Sequence, residues 1–266
     1  RGFPVIDKRT TFLAYGTEGR ELMEAFGVSP GQLVVTGNAR YDPLTGHQAR
    51  RDEYRQVLLD GAEPDTTLIV VATTGLMELD RLWLDDACRS AAELGVRLVI
   101  KPHPAIGLGP YRRWLDRGPH VAGWEGELDE AIAACDAMVT DYSSTGWEAV
   151  LYNRPLIVVN FSGTEFRYRW EDEGVGVRVC DARQLHEQFR RVGEGRFSAE
   201  VLQCQRRITP RYNHLNDGKA AERMAMRMLR ERPWRQRLAS WTRRRWRRQV
   251  ARRLLGSEPA EKDGRR

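Results

Sequence analysis

Residues 136–160 read DAMVTDYSSTGWEAVLYNRPLIVVN. A short apolar run ends at Asp141 and gives way to hydroxyl-bearing residues. A helix-like segment follows, and it leads into a second apolar run, PLIVVN. A strand, a polar loop, a helix and another strand in so short a space imply a crossover between parallel strands.

The same rhythm extends in both directions. Upstream come TFLAYG, the amphipathic EGRELMEAFG, LVVTG, a helix near 47–60, TLIVVAT and a helix around 76–94. VRLVIKPH, a shorter helix near 110–117, HVAGW and ELDEAIAAC lead up to the quoted stretch, and GVGVRVC and ARQLHEQFRRV follow it. The apolar runs are nearly continuous rather than alternating, as strands covered on both faces require. The chain is therefore expected to be α/β, with a doubly wound, Rossmann-like parallel sheet. Ligands of such sheets bind beyond the carboxyl ends of the strands, at the switch in strand order. That rule selects the loops after VVTG, VVAT, VIKPH, VTD and VVN. From about Ser198 the pattern turns helical, through SAEVLQCQRRI and DGKAAERMAMRMLRER.

Charge divides the chain unevenly. The 37 residues from Arg230 to Arg266 hold 14 Lys/Arg against 4 Asp/Glu, a net of +10. With the whole chain at +6, the other 229 residues carry −4. A basic tail on a mildly acidic body argues against a nucleic-acid-binding core, whose basic residues would cover a folded face. No nucleic-acid partner is expected. The tail interleaves ten arginines over 232–253 with Trp234, Trp241 and Trp246, a composition suited to an anionic membrane surface, and its end reads as disordered. A solvated helix or a nucleic-acid arm would explain the tail as well. Cys88, Cys135, Cys180 and Cys204 lie far apart without CxxC, as mostly buried, reduced thiols of a cytosolic protein would. No run is long and apolar enough to span a bilayer. The opening at Arg1 reads like the middle of a longer chain, so an N-terminal portion is expected to precede it.

Four constellations could carry chemistry. At the quoted stretch, Ser143 or Ser144 can cap the helix, whose N-terminus offers backbone N–H groups to an anion. Ser143, Ser144 and Thr145 add hydroxyl donors, and Glu148 could accept hydrogen bonds from a ribose. An ordinary N-cap with a solvated acid is the plainer alternative. In VIKPHP, prolines hold His103 out of helical geometry, so Lys101 and His103 project from a strand end where a diphosphate would sit. In VTGNARYD, Gly37 and Asn38 follow a strand as a phosphate- or sugar-facing loop would, with Arg40 as a charge clamp. In YNHLNDGKAAERM, Asp217 opens a helix and can cap it. No P-loop, GxGxxG after the first strand, HExxH or GxSxG pattern is present, and nothing has metal-ligand spacing.

KPHP, VTDYSS, RP about a dozen residues later and NDGKAAERM, in that order, resemble the C-terminal half of the CDP-glycerol glycerophosphotransferases, the teichoic-acid polymerases and primases. The similarity runs from about Val34 to Leu229. It implies the C-terminal, nucleotide-binding domain of a GT-B fold, with roles at the CDP diphosphate and its leaving group for His103, Asp141, Ser143, Ser144 and Asp217, and Lys101 as a neighbour. It also implies a nucleotide-activated donor, a lipid-linked polymer acceptor, no cofactor, and a place on the inner face of the cell membrane. A catalytic histidine would come from the N-terminal domain. Where the family carries a basic stretch, this chain reads VATTG. STGWEAVLYNRPLIVVN is also similar to surface-polysaccharide glycosyltransferases and UDP-N-acetylglucosamine 2-epimerase-like proteins. A non-catalytic nucleotide-sugar-binding domain is a third reading. The expected organisation is a remnant over 1–32, a donor-binding domain over 33–229 and the basic helical tail over 230–266.

Overall fold

The computed structural model describes residues 7, 10–141, 143–164 and 170–230. The tail beyond Arg230, with the helix, disordered end and membrane contact expected of it, lies outside the described residues.

Two parallel sheets form. The smaller joins β1 (Phe12–Ala14) to β2 (Leu33–Val35) across α1 (Thr17–Ala25). After β2 come α2 (Leu44–Ala49) and α3 (Arg51–Leu59). The larger sheet then begins with β3 (Leu68–Ala72), α4 (Met77–Leu94), β4 (Arg97–Lys101), α5 (Arg112–Leu115) and β5 (Val121–Gly123). It continues through α6 (Leu128–Ala134), β6 (Ala137–Thr140), α7 (Gly146–Leu151), β7 (Leu156–Val159) and β8 (Val177–Val179). Helices α8 (Ala182–Gly193), α9 (Ala199–Tyr212) and α10 (Ala220–Arg230) follow.

The six-stranded order is β5-β4-β3-β6-β7-β8, every neighbouring pair parallel. The chain runs outward from β3 to β5, then returns to place β6 on the other side of β3. That reversal is the switch point of a doubly wound sheet.

Continuous apolar strands are what two covered faces demand. Leu68, Val70 and Ala72 of β3 face one core with Met138, Leu156 and the α6–α7 side chains. Ile69 and Val71 face the other with Trp83, Leu84, Ala87 and Ala91 of α4 and Leu185 and Phe189 of α8. Burying both faces at about 25 cal/mol per Å² of apolar surface drives the fold. Helix α4 ends at Gly95, whose φ of +66° makes the left-handed turn that glycine adopts without steric cost.

Three expectations need correction. The strand LVV pairs with β1 in the smaller sheet, so the loop that follows it does not belong to the row of strand ends around the switch point. Pairing partners are set by topology, which a run of apolar residues does not encode. Helix α9 continues past Ile208 to Tyr212 through Pro210, because a proline in the last turn forfeits a single donor while Thr209 Oγ1 bonds Gln205 O at 2.9 Å. Only Cys88 and Cys135 are buried; Cys180 is exposed and Cys204 half-buried. No described helix is long and apolar enough to cross a membrane.

Candidate active site at the switch point

Register fixes the geometry. Ala72 of β3 pairs with Lys101 of β4 and with Thr140 of β6, so Thr73, Pro102 and Asp141 leave the sheet side by side. Thr74 Oγ1 donates to Asp141 Oδ2 at 2.8 Å, closing the crevice between β3 and β6. Asp141 is buried.

The loop after β4 carries His103 into solvent beside this crevice. Ala105 N–H donates to His103 Nδ1 at 3.2 Å, which makes Nδ1 the acceptor and leaves the proton of a neutral ring on Nε2. His103 therefore presents an N–H donor outward. Lys101 is half-buried, its Nζ 3.5 Å from Pro102 O.

The start of α7 differs from the anion site that a helix N-terminus suggests. Ser143 Oγ accepts from Thr145 N–H at 3.3 Å, and the N–H groups of Gly146, Trp147 and Glu148 close onto the carbonyls of Ser143, Ser144 and Thr145. Four backbone donors are thus taken up within the turn of a six-residue helix. What the stretch can offer a ligand is its hydroxyls, with Ser144 exposed and Ser143 and Thr145 half-buried. Gly146 is required for packing, since a Cβ there would lie 2.7 Å from Trp170 Cε2.

Glu148 is buried, and Arg40 Nη2 reaches its Oε1 at 3.0 Å. The pair is lopsided, with side-chain exposure of 73% for Arg40 and 5% for Glu148. Burial pushes the Glu148 carboxyl above its ordinary pKa, partly opposed by a backbone hydrogen bond and by Arg40. Its Oε2 has no hydrogen-bond partner among the described residues, nor has Thr145 Oγ1. The two orphaned groups lie one turn apart or less and are closed off from solvent.

The remaining candidates sit elsewhere. Asn38 Oδ1 accepts from Arg40 N–H, and its own N–H donates to Asn213 Oδ1 at 2.8 Å. Asn38 lines a cavity of about 210 Å³ with Tyr15, Tyr41, Trp147 and Tyr212 rather than the β3–β6 crevice. Gly37 turns the chain there at φ +86°. Asp217 is exposed and accepts from Lys219 N–H at 3.1 Å, an Asx turn ahead of α10, while Asp42 Oδ1 takes the Ala220 N–H at 2.8 Å. Gly218 packs this turn onto Thr45 and Asp42 O, on the side of the loop after β2.

Sequence reasoning missed Thr73, Thr74, Tyr111 and Asp80. Tyr111 Oη lies 2.6 Å from Asp80 Oδ2 and 2.9 Å from Thr73 Oγ1, and Thr73 Oγ1 accepts from His103 N–H at 3.3 Å. The one available signal was an acid in phase with the apolar stripe of α4, Asp80 ahead of Leu84, Ala87 and Ala91. Burial lifts the Asp80 carboxyl to about 6, against the Tyr111 hydrogen bond, with the Asp141 charge raising it further.

Strand order and switch point are those of a Rossmann-like half of a GT-B fold, and solved structures share that fold. The wall teichoic acid polymerase TagF superposes with a TM-score of 0.60 at 17% identity, over 80% of this chain and 55% of its own. A UDP-GlcNAc 2-epimerase from Neisseria meningitidis, bound to UDP-GlcNAc, gives 0.58 at 14% identity over 84% and 61%. The chain thus spans less than two thirds of each. No curated protein sequence matches it. The family profile of CDP-glycerol:poly(glycerophosphate) glycerophosphotransferases matches residues 14–230, and the chain belongs to that family.

Proposed function

We propose that this chain is the donor-binding part of a transferase that moves glycerol phosphate from CDP-glycerol to a hydroxyl of a membrane-linked, teichoic-acid-like polymer. The observation that carries this reading is the row formed by Asp141, Thr74 and the outward Nε2 of His103 at the switch point. A diphosphate laid across that row meets the Ser143 and Ser144 hydroxyls, and the ribose lies on the side of Glu148 and Thr145.

In the reaction, an acceptor hydroxyl attacks the β-phosphorus. Its new O–P bond forms as the bond to the bridging oxygen breaks, and CMP leaves with the electron pair. His103 Nε2–H donates to the phosphate whose charge grows, with Lys101 as a nearby cation. Holding donor and acceptor in line supplies the rest of the acceleration. The base that takes the hydroxyl proton comes from the acceptor-side domain that family members carry ahead of this one. Arg40 steers the Glu148 carboxylate from outside, and the Gly37–Asn38 turn and Asp217 lie on that flank.

Thermal shift against CDP-glycerol, CMP, UDP and UDP-GlcNAc tests the donor. Stabilisation by the cytidine ligands above the uridine ligands is expected, since bound ligand stabilises by mass action. The reverse order would favour the second reading, a UDP-sugar enzyme, which rests on epimerase structures superposing as well as TagF does. We place the enzyme at the inner membrane face through the basic tail over 232–253, each Lys/Arg there contributing about 1 kcal/mol near anionic lipid. Sedimentation with phosphatidylglycerol vesicles should pull down the 266-residue chain and not a truncation at Arg230; equal sedimentation of both would refute the tail's role.

A further inference from the structure

Asp80 is an acid with no solvent exposure, on the core face of α4, and the transfer reaction as proposed does not use it. Its Oδ1 has no hydrogen-bond partner among the described residues. Burying such a group is costly unless its bonds are made. Here Oδ2 terminates a linear chain that begins at the candidate site.

The phenol of Tyr111 carries a single proton yet has two polar neighbours, at 2.6 and 2.9 Å. The shorter contact, to a carboxylate, takes the proton. Thr73 must then donate its hydroxyl proton into the phenol oxygen, which frees its lone pairs for the His103 N–H. The sequence His103 N–H to Thr73 O–H to Tyr111 O–H to Asp80 carboxylate is uniformly directed, so each bond polarises the next. Tyr111 has no solvent exposure and Thr73 is buried, so water does not compete. A steric lock backs this up. Gly75 has φ +81°, and a Cβ on it would meet His103 Cβ at 3.2 Å and Ile106 Cγ1 at 3.0 Å.

We propose that the Asp80–Tyr111–Thr73 relay is a positioning device that fixes the backbone of His103 so that its Nε2–H faces the donor phosphate. The proposal rests on the donor-binding role given to His103 above. Asp80, Tyr111 and Thr73 touch no ligand in it and act only through the loop.

The test is a set of near-isosteric variants in the 266-residue chain. Thr73→Ser keeps the hydroxyl and Thr73→Val keeps the shape; Tyr111→Phe removes the central link. Two quantities are measured: hydrogen exchange at the His103 amide, taken relative to Val70 in β3, and affinity for CDP-glycerol. Thr73→Ser should match wild type in both. Thr73→Val and Tyr111→Phe should speed His103 exchange relative to Val70 by roughly tenfold, the worth of one buried hydrogen bond, and weaken CDP-glycerol by a similar factor. Dividing by Val70 removes any loss of global stability. Unchanged relative exchange in Thr73→Val and Tyr111→Phe would overturn the relay, as would Thr73→Ser behaving like Thr73→Val. If wild type binds no CDP-glycerol, the proposed function fails, and the exchange comparison still judges the relay by itself.

Discussion

The two flanks of the candidate site are held in opposite ways. On the β3–β4 side, the Thr73–Gly75 and Lys101–Ala105 loops are locked by buried side chains, by the Thr74–Asp141 bond and by the fit of Gly75 against His103. On the β2 side, the loop after LVV is anchored away from the crevice by the Asn38–Asn213 and Asp42–Ala220 bonds, and it touches Glu148 through an ion pair whose arginine stands largely in water. The difference teaches where preorganisation resides. Groups that face developing charge must be fixed before the reaction, because reorganising them costs part of the barrier reduction. Groups that recognise a sugar from outside can be tethered loosely.

Mutations can break that contrast. In the intact enzyme, His103→Ala should lower turnover at least about 100-fold, the usual loss for a donor at developing charge, with the melting temperature of the chain little changed. Full activity would remove His103 from the mechanism and the braced flank from its role.

A smaller effect lies in the acidic range. The folded-state pKa of Asp80 is raised to about 6 from an ordinary 3.8, so the native state holds a proton that the unfolded chain has released. Stability from this group is full below about 4 and is lost as pH rises towards 6, by up to about 3 kcal/mol. The Tyr111 hydrogen bond and the Asp141 charge act on it besides burial. Denaturant midpoints followed from pH 4 to 7 should show this fall, and Asp80→Asn should flatten it. An unaltered slope in Asp80→Asn would mean that the carboxylate is already ionised at low pH.

The smallest change belongs to the tethered flank. Arg40→Ala breaks a pair whose cation is mostly solvated, worth about 1 kcal/mol at most, and should weaken CDP-glycerol less than about fivefold. A loss above that of Thr73→Val would invert the comparison, making the exposed clamp the dominant contact.

How much of this was legible in advance follows the same divide. Asp141 and His103 could be found because each stands at the end of an apolar run, and in an open sheet position along the strand is position in the site. Ser143 and Ser144 were legible for the same reason, but the bonding of the turn was not: whether an N–H is free or closed onto a carbonyl three residues back depends on dihedrals that Ser, Thr and Gly all tolerate. The loop holding Thr73 and Thr74 was selected as a strand end, but the bonds of its threonines were not legible, since their partners, Tyr111, Asp80 and Asp141, lie far along the chain and meet only through the strand order. Glu148 was singled out as a ribose contact, and its burial against Arg40 came with a crossing between the two sheets that no periodicity records. The separate pairing of β1 with β2 was hidden likewise, because a three-residue apolar strand carries no mark of which sheet it joins.

The central claim is that a cytidine diphosphate ester lies across the switch-point crevice. An amide-resolved NMR titration of the 266-residue chain with CDP-glycerol tests it most directly. The largest shifts should fall on Thr74, His103 and Ser144, with Glu148 following. Shifts confined to the aromatic cavity around Tyr15 and Tyr212, or none at saturating ligand, would contradict it.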